Sequence, residues 1–543
     1  MRQFITLLLI FFFSLQPTAG RSTEFFVSPE GSDSNNGTSS ETPLRTIQKA
    51  ADIVTPGDTV YIRGGVYREK PRLHRSGTPE QPIVFRAFEK EQPVIDGSPT
   101  LVWSHHTDRI LTAEAPFPVG VVVADGRPLS PIENITSIKP GGVFVNGLRI
   151  YIPAAIGSAS GLDRVAVLER FTDWASYRQT PLVQIAGNHV DFIGFTVQNS
   201  SGSGIECSGR FSRVIDCRVA FTMTGGVLMS NVHHGVIQGC TVTETCLMNW
   251  PRGLIGGAWP GAVTYLSGKD GRIFSNQVFR NHGEGIGTLG GWGLPGTNGL
   301  EIRKNTVFDN WSVNIWIDHG SHVLIDGNFV FVSPDVPSRE KARGLPVGIE
   351  CAEEADFGHP GDLNHVTITN NIVIGNSNGF MFWNAGSKVS GLRHFHVSNN
   401  TFANNKHDAV YIEKGKHVGT VFRNNIFYQE TGGLMHFENP NDTRFEHNCW
   451  YQQDGKGRIT WGTSTLDYAT WCSLGGSCPA SIWKNPEFSV GSGLDPKHYQ
   501  IRPSSPCRDS ATDDPHVPLD YWGTPRPSGP RYDIGAHEFK SLP

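Results

Sequence analysis

Apolar and polar positions along the middle of the chain repeat in one phrase, apolar-x-x-Asn/Cys-x-apolar. It reads Val214-x-x-Cys217-x-Val219, Ile237-x-x-Cys240-x-Val242, Ile273-x-x-Asn276-x-Val278 and Ile302-x-x-Asn305-x-Val307. It continues through Asn328, Asn371, Asn400 and Asn425 to a weaker copy at Phe445-x-x-Asn448-x-Trp450. The spacing has a floor of roughly 23 residues, as from Asn305 to Asn328, and longer steps, as from Asn328 to Asn371. That is one structural coil with loops inserted into some coils. The flanking positions are Val, Ile and Phe in short segments, so they predict strands. Asn at one fixed place per coil can stack about 4.8 Å from its neighbour and bond it through the side-chain amide. The pattern predicts an all-β right-handed parallel β-helix with an internal column of Asn276, Asn305, Asn328, Asn371, Asn400 and Asn425, continued by Cys240 and Cys217.

The pattern changes towards both ends. Ile47, Ala50, Ala51 and Val54 have helical spacing and predict a short helix capping the first coil. The coil rhythm breaks over 101–185, where 121–126, 142–147 and 150–153 read as hairpin strands of a small inserted β module. The expected organisation is a secretory signal at 1–20, a cap and first coils at 21–100, the insertion at 101–185, coils at 186–450 and a C-terminal extension at 451–543. The signal rests on the apolar run at 4–15 behind Arg2, too short to span a membrane, with a cut expected near Gly20. The protein is therefore expected to be secreted.

A second strand follows each Asn phrase, with inward residues Ile205, Val227, Ile286, Ile315, Ile349, Phe380 and Val410. Alternation puts the residues one before, one after and three after each of these on the outer face. That face would carry Trp316, Trp383 and Tyr411 among Glu206, Asp318, Glu350 and Glu413, with Asn314 beside them. Aromatic rings stack on sugars, and carboxylates bond hydroxyls or do acid/base work. Glu206, Glu413, Asn314 and the three aromatic residues are thus the candidate substrate-binding set. Asp318 and Glu350 fall on consecutive coils, two residues out of register, with Cα atoms roughly 8 Å apart. Carboxyl groups at about 5–9 Å span both the retaining and the inverting glycosidase geometry. Glu353 or Glu354 is an alternative second carboxylate. Glu284 lies at a coil turn and reads as structural, and His319 as a polar support. The loop over 333–346 is expected to wall the cleft.

Composition narrows the partners. Lys+Arg 46 against Asp+Glu 51 gives a net charge of −5 without charge blocks, which argues against nucleic acid. A polysaccharide or oligosaccharide is the expected partner, with no membrane insertion. Of the nine cysteines, Cys217 and Cys240 read as stacked thiols or a disulfide, and Cys472 and Cys478 as a loop disulfide. No Cys/His spacing reads as a zinc site, and no metal or cofactor is expected.

Phe26-Val27-Ser28-Pro29-x-Gly31-Ser32-Asp33, Pro43-Leu44-x-Thr46-Ile47-Gln48 and Gly57-Asp58-Thr59-Val60-Tyr61 resemble the amino-terminal signature of secreted right-handed β-helix proteins. Ser505-Pro506-Cys507-Arg508-Asp509 and Asp533-Ile534-Gly535-Ala536-x-Glu538 are similar to the carboxy-terminal seal of that group, which includes polysaccharide lyases and glycoside hydrolases. The insertion and Ile315-Trp316-Ile317-Asp318 resemble the xylosidase and fucosidase type. That resemblance implies Asp318 as nucleophile and Glu350, on the following coil, as acid/base. A calcium-dependent lyase would need an Asp cluster and a Lys or Arg base, for which Arg343 is the nearby candidate. Three expectations follow: a glycoside hydrolase first, then a lyase or epimerase acting on a uronate polymer, then a non-catalytic glycan-binding β-helix.

Overall fold

The computed structural model describes residues 22–156, 161–170, 180–251, 260–290, 294–334, 345–354, 359, 361–386, 389–474 and 478–540. The signal expected at 1–20 and the candidate base Arg343 lie outside these residues.

Three sheets of 13 strands each run the length of the molecule, parallel throughout except for an antiparallel pair, Ile459–Trp461 with Ser464–Leu466, at the end of one. Every coil contributes one short strand to each. In one coil, Glu301–Arg303 lies in sheet 1, Thr306–Phe308 in sheet 2 and Val313–Asp318 in sheet 3. Register is kept from coil to coil: Ile273, Ile302, Ile325, Ile368 and Val397 pair in sequence across sheet 1. All five are fully buried, so each coil places its apolar side chains on those of its neighbours. The fold is the right-handed parallel β-helix that the repeat predicts.

The Asn column exists as expected. Asn276 Nδ2 donates to Asn305 Oδ1 at 2.9 Å, Asn305 to Asn328 at 3.0 Å, Asn328 to Asn371 at 2.9 Å and Asn371 to Asn400 at 2.9 Å. Asn400 and Asn425 continue it to Asn448. Each amide also donates to a backbone carbonyl, as Asn371 does to Ile325 O, so both hydrogens of the ladder amide are used at the sharp turn between sheets 1 and 2. Cys240 and Cys217 extend the column as buried free thiols. Cys472 and Cys478 form a disulfide.

A second amide column stands at the turn between sheets 2 and 3. Asn281, Asn310, Asn314, Asn376 and Asn405 pass the bond along. In most coils the amide sits five residues after the first-column Asn. In the coil of Asn328 that position is Ser333, which bonds Asp309 instead. Asn314 fills the missing rung. Its Oδ1 accepts from Asn310 at 2.9 Å and its Nδ2 donates to Asn376 Oδ1 at 2.9 Å.

The ends are closed. Helix Ile47–Ile53, capped by the Thr46 side chain, buries Ile47, Ala50 and Ala51 over the first coil. Strands from Ser104–Thr107 to Ala166–Glu169 form a five-stranded and a three-stranded sheet around their own core of Leu111, Val122, Ile150, Ile152 and Val167. This module docks on the solenoid through Val121, Val123 and Leu168 against Phe221, Met223 and Leu247. Val183–Ile185 pairs with Arg72–Leu73 in sheet 3, so the solenoid is continuous across the insertion. The C-terminal segment covers the outer face of sheet 2, where Phe331, Ile374 and Ile426 meet Phe488, Ile501 and Ile534.

Candidate active site on sheet 3

The outer face of sheet 3 carries one row set by register: Thr264, Gly287, Trp316, Glu350, Met381, Tyr411, His436. Two residues further along each strand, Asp318 pairs with Ala352, and Ala352 with Trp383. Asp318 and Glu350 therefore stand on adjacent strands, offset by two residues.

The alternation fails at the start of each strand. A methyl group at Gly285 would stand 2.7 Å from Asn310 Nδ2, and one at Gly379 would stand 2.8 Å from Asn405 Nδ2. The residue just before the inward apolar residue thus also points inward, at the second amide column. Two corrections follow. Asn314 occupies this position, fully buried and spent on the ladder, so it is not a sugar-binding residue on the outer face. Glu284, one residue earlier, turns outward. A methyl group at Gly287 would stand 3.7 Å from Glu284 Oε2 and 3.6 Å from Trp316 Cδ1. The bare glycine leaves an opening bordered by that carboxyl and that ring. The coil turn that the sequence assigns to Glu284 thus aims its carboxyl outward. The signal was there: small residues recur before the inward position at Gly204, Gly226, Gly285, Gly348 and Gly379.

The carboxyls of this face are electrostatically unusual. Glu350 is 7% exposed, and burial, with the negative charges of Glu413 and Glu354, pushes its pKa up to about 8. Burial and the charges of Glu354, Asp318 and Glu350 push Glu284 up to about 8 as well. Both therefore hold a proton near neutral pH. Asp318 is fully buried. Its Oδ1 lies 2.7 Å from His319 Nδ1 and accepts the Glu354 N–H at 3.1 Å. Burial raises its pKa while His319 opposes the rise. Burial works against the His319 cation, but contact with Asp318 outweighs it and raises the imidazole pKa. His319 is thus a polar support of Asp318, with a defined contact.

The other candidates separate. Glu353 bonds Arg393 Nη2 at 2.8 Å and accepts the Gly361 N–H, so it is a buried structural ion pair. Glu354 stays beside the cluster, felt by both Glu284 and Glu350. Glu413 accepts the Asn384 N–H at 3.0 Å. Trp383 is 37% exposed and its ring centroid lies 6.0 Å from that of Trp316. Trp316 is 6% exposed, packed by Val313, Val347, Ala352 and Met381, so it presents little free ring to a ligand. Tyr411 donates its hydroxyl to Glu438 at 3.2 Å, and burial with the charges of Glu438 and Glu413 pushes it up to about 12. Glu206 lies in the same outward row but five strands from Glu350, roughly 24 Å away. Burial alone raises its pKa, and it does not join the cluster. Of the loop expected to wall the cleft, 335–344 lies outside the described residues.

Comparison with known proteins gives the same class as the coordinates. A family model described as a right-handed β-helix region matches residues 181–391, and a Pel9A-like right-handed β-helix region model matches 25–117. A model described as periplasmic copper-binding protein (NosD) matches 360–467. The chain is a right-handed β-helix protein. Over 512 residues it is 24% identical to the protein YwoF of Bacillus subtilis (strain 168), covering 90% of this chain and 93% of that one. It is 44% identical over 78 residues to pectate lyase PEL9 of Emericella nidulans, 14% of this chain and 19% of that protein. Among solved structures, the complex of XylC with xylose aligns with a TM-score of 0.54 at 12% identity, over 96% of this chain and 99% of that chain.

Proposed function

We propose that this protein is a secreted carbohydrate-active enzyme, a glycoside hydrolase acting on a polysaccharide or oligosaccharide laid along sheet 3. The observation that carries the reading is Glu350: a carboxyl pushed up to about 8, on the outer face, one strand from Asp318. Glycosidic cleavage needs a carboxylic acid that is still protonated at working pH and a second carboxylate nearby. Glu350 fits the proton donor. Asp318 fits the nucleophile or general base, oriented by His319 and the Glu354 N–H. Glu284, protonated, is a hydrogen-bond donor to a sugar hydroxyl, and Trp383 is the exposed ring on which a sugar stacks. Glu354 is the alternative acid. XylC, a protein of the same fold, is known with xylose bound.

A lyase is the second reading, favoured by the Pel9A-like match at 25–117. That match covers the first coils and part of the insertion, whereas the carboxyl cluster spans 284–413. A screen of plant and algal polysaccharides with product analysis separates the two. New reducing ends with saturated products are expected. Products carrying the unsaturated uronate chromophore would replace the hydrolase with the lyase.

A further inference from the structure

A second cluster of chemically active side chains lies far from sheet 3, where the C-terminal tail crosses sheet 1. His396 begins the strand His396–Ser398, whose inward residue is Val397. Tail residues Asp514 and His516 come to it from more than a hundred positions away. His396 Nε2 lies 2.6 Å from Asp514 Oδ2, and His516 Nδ1 lies 3.1 Å from Asp514 Oδ1. One ligand atom from each of the three falls within 4.8 Å of the other two. The two imidazoles are inclined at 45° with centroids 4.7 Å apart, converging on one carboxylate.

We propose that His396, Asp514 and His516 bind a single divalent transition-metal ion of the zinc class, which clamps the C-terminal tail to the solenoid. Two imidazoles and one carboxylate with a fourth position left to water is a donor set that suits such an ion. Ligand atoms at about 2.0–2.2 Å from a tetrahedral ion stand about 3.3 Å from one another. The two imidazoles meet different oxygens of Asp514, His396 at Oδ2 and His516 at Oδ1, so binding through one oxygen asks the His516 ring to turn towards Oδ2. The carboxylate is fully buried and held in place. Ser398 Oγ donates to Oδ2 at 2.7 Å, and the His516 N–H donates to Oδ1 at 3.1 Å. Such outer bonds orient a ligating carboxylate. The His516 side chain is 62% exposed, so the ion has a route in and the ring has room to adjust.

The site has a mechanical logic. Close by, neutral amides also fasten the tail: Asn399 donates to Asp533 O at 3.0 Å, and Asn424 to Thr512 O at 2.8 Å. An ion bridging His396 to Asp514 and His516 adds a charged clamp at the same edge. No such site could be read from spacing, because its ligands sit on two segments that only the fold brings together.

The test uses the full chain, stripped with a chelator and titrated with zinc by calorimetry, with bound metal counted after dialysis. One ion per chain and a rise in Tm are expected. His516→Ala changes an exposed side chain and should weaken zinc at least tenfold while leaving the metal-free Tm unchanged. His396→Gln should weaken it similarly. His365→Ala, in the exposed His322–His365–His394 stack, should change nothing. Absence of stoichiometric binding would overturn the proposal and leave a hydrogen-bonded latch. Binding that survives both His516→Ala and His396→Gln, or that is lost in His365→Ala, would overturn it too.

Discussion

The outer faces of sheets 2 and 3 belong to the same coils, yet they handle buried charge in opposite ways. Sheet 2 lies under the C-terminal tail. One acid buried in that tail, Glu538, receives Arg526 Nη1 at 2.9 Å and the N–H groups of Ser528 and Asp533. Both members of the pair have fully buried side chains. On sheet 3 the charges that act on Glu350 are those of Glu413 and Glu354, both negative. Glu538, with a full guanidinium and several donors, is architecture; Glu350, among other acids, keeps its proton and is poised for proton transfer. The contrast singles out Glu350 as the candidate proton donor; Asp318, held by His319 and the Glu354 N–H, follows neither case.

The sharpest way to break this contrast is to neutralise the sheet 3 acids. Glu350→Gln and Asp318→Asn preserve shape and remove the titrating oxygen. Each is expected to lower turnover by about 10²–10⁴-fold on whichever glycan the screen identifies, with the fold retained by circular dichroism. If Glu350→Gln stays active while Glu354→Gln is dead, the proton donor is Glu354 and the rest of the assignment stands.

The converse substitution belongs to sheet 2. Arg526→Met removes the cation and leaves Glu538 buried beside Asp533, whose own carboxyl burial already pushes up to about 6. A loss of about 3–5 kcal/mol is expected in denaturant unfolding, with catalysis unaffected at temperatures where the tail stays docked. A loss below about 1 kcal/mol would mean that water reaches the pair and that the two faces are less different than their burial suggests.

Dependence on pH tests the sheet 3 face. Glu284 and Glu350 start from an ordinary value of 4.5 and are raised to about 8 in the folded protein. Between those values the folded state holds protons that the unfolded chain has released. Stability is therefore greatest below about 4.5 with respect to these groups and falls as pH rises to about 8. A loss of stability across this window is expected. The double variant Glu284→Gln/Glu350→Gln should flatten it. An unchanged slope in the variant would show that both groups ionise freely.

The fold was legible because its signal is local and repeated. A side-chain amide at one corner of every coil has one structural solution, and the column from Asn276 to Asn425 forms as the repeat predicts. Asn371→Leu, which removes one rung and strands its neighbours' amides, is expected to cost about 1–3 kcal/mol. The site was only half legible. Strand alternation placed Glu350, Asp318, Trp383 and Glu413 correctly, because they lie within or just beyond the straight part of their strands. It failed at the bend, where two successive residues face inward. That error put Asn314 outside and hid Glu284. Nor does alternation say how deeply a residue on the outer face is covered: Trp316 shares its row with Glu350, but Val313, Val347 and Met381 close over it.

The smallest expected effect bears on that last distinction. Trp316 and Trp383 are in ring contact, but only Trp383 keeps 37% of its surface free. A ring that already touches solvent is lost from the fold at little cost, and a sugar stacked on it loses about 0.5–1.5 kcal/mol. Trp383→Ala should therefore weaken binding of the substrate glycan by about 2–10-fold and leave unfolding unchanged. Trp316→Ala should do the reverse. It opens a cavity among Val313, Val347 and Ala352 and costs about 3–5 kcal/mol of stability, affecting binding only through that disturbance. Calorimetric binding and denaturant unfolding on both variants decide the matter. Equal effects of the two substitutions on binding would show that Trp316 becomes accessible when substrate arrives, so that the aromatic face of sheet 3 is wider than its resting surface.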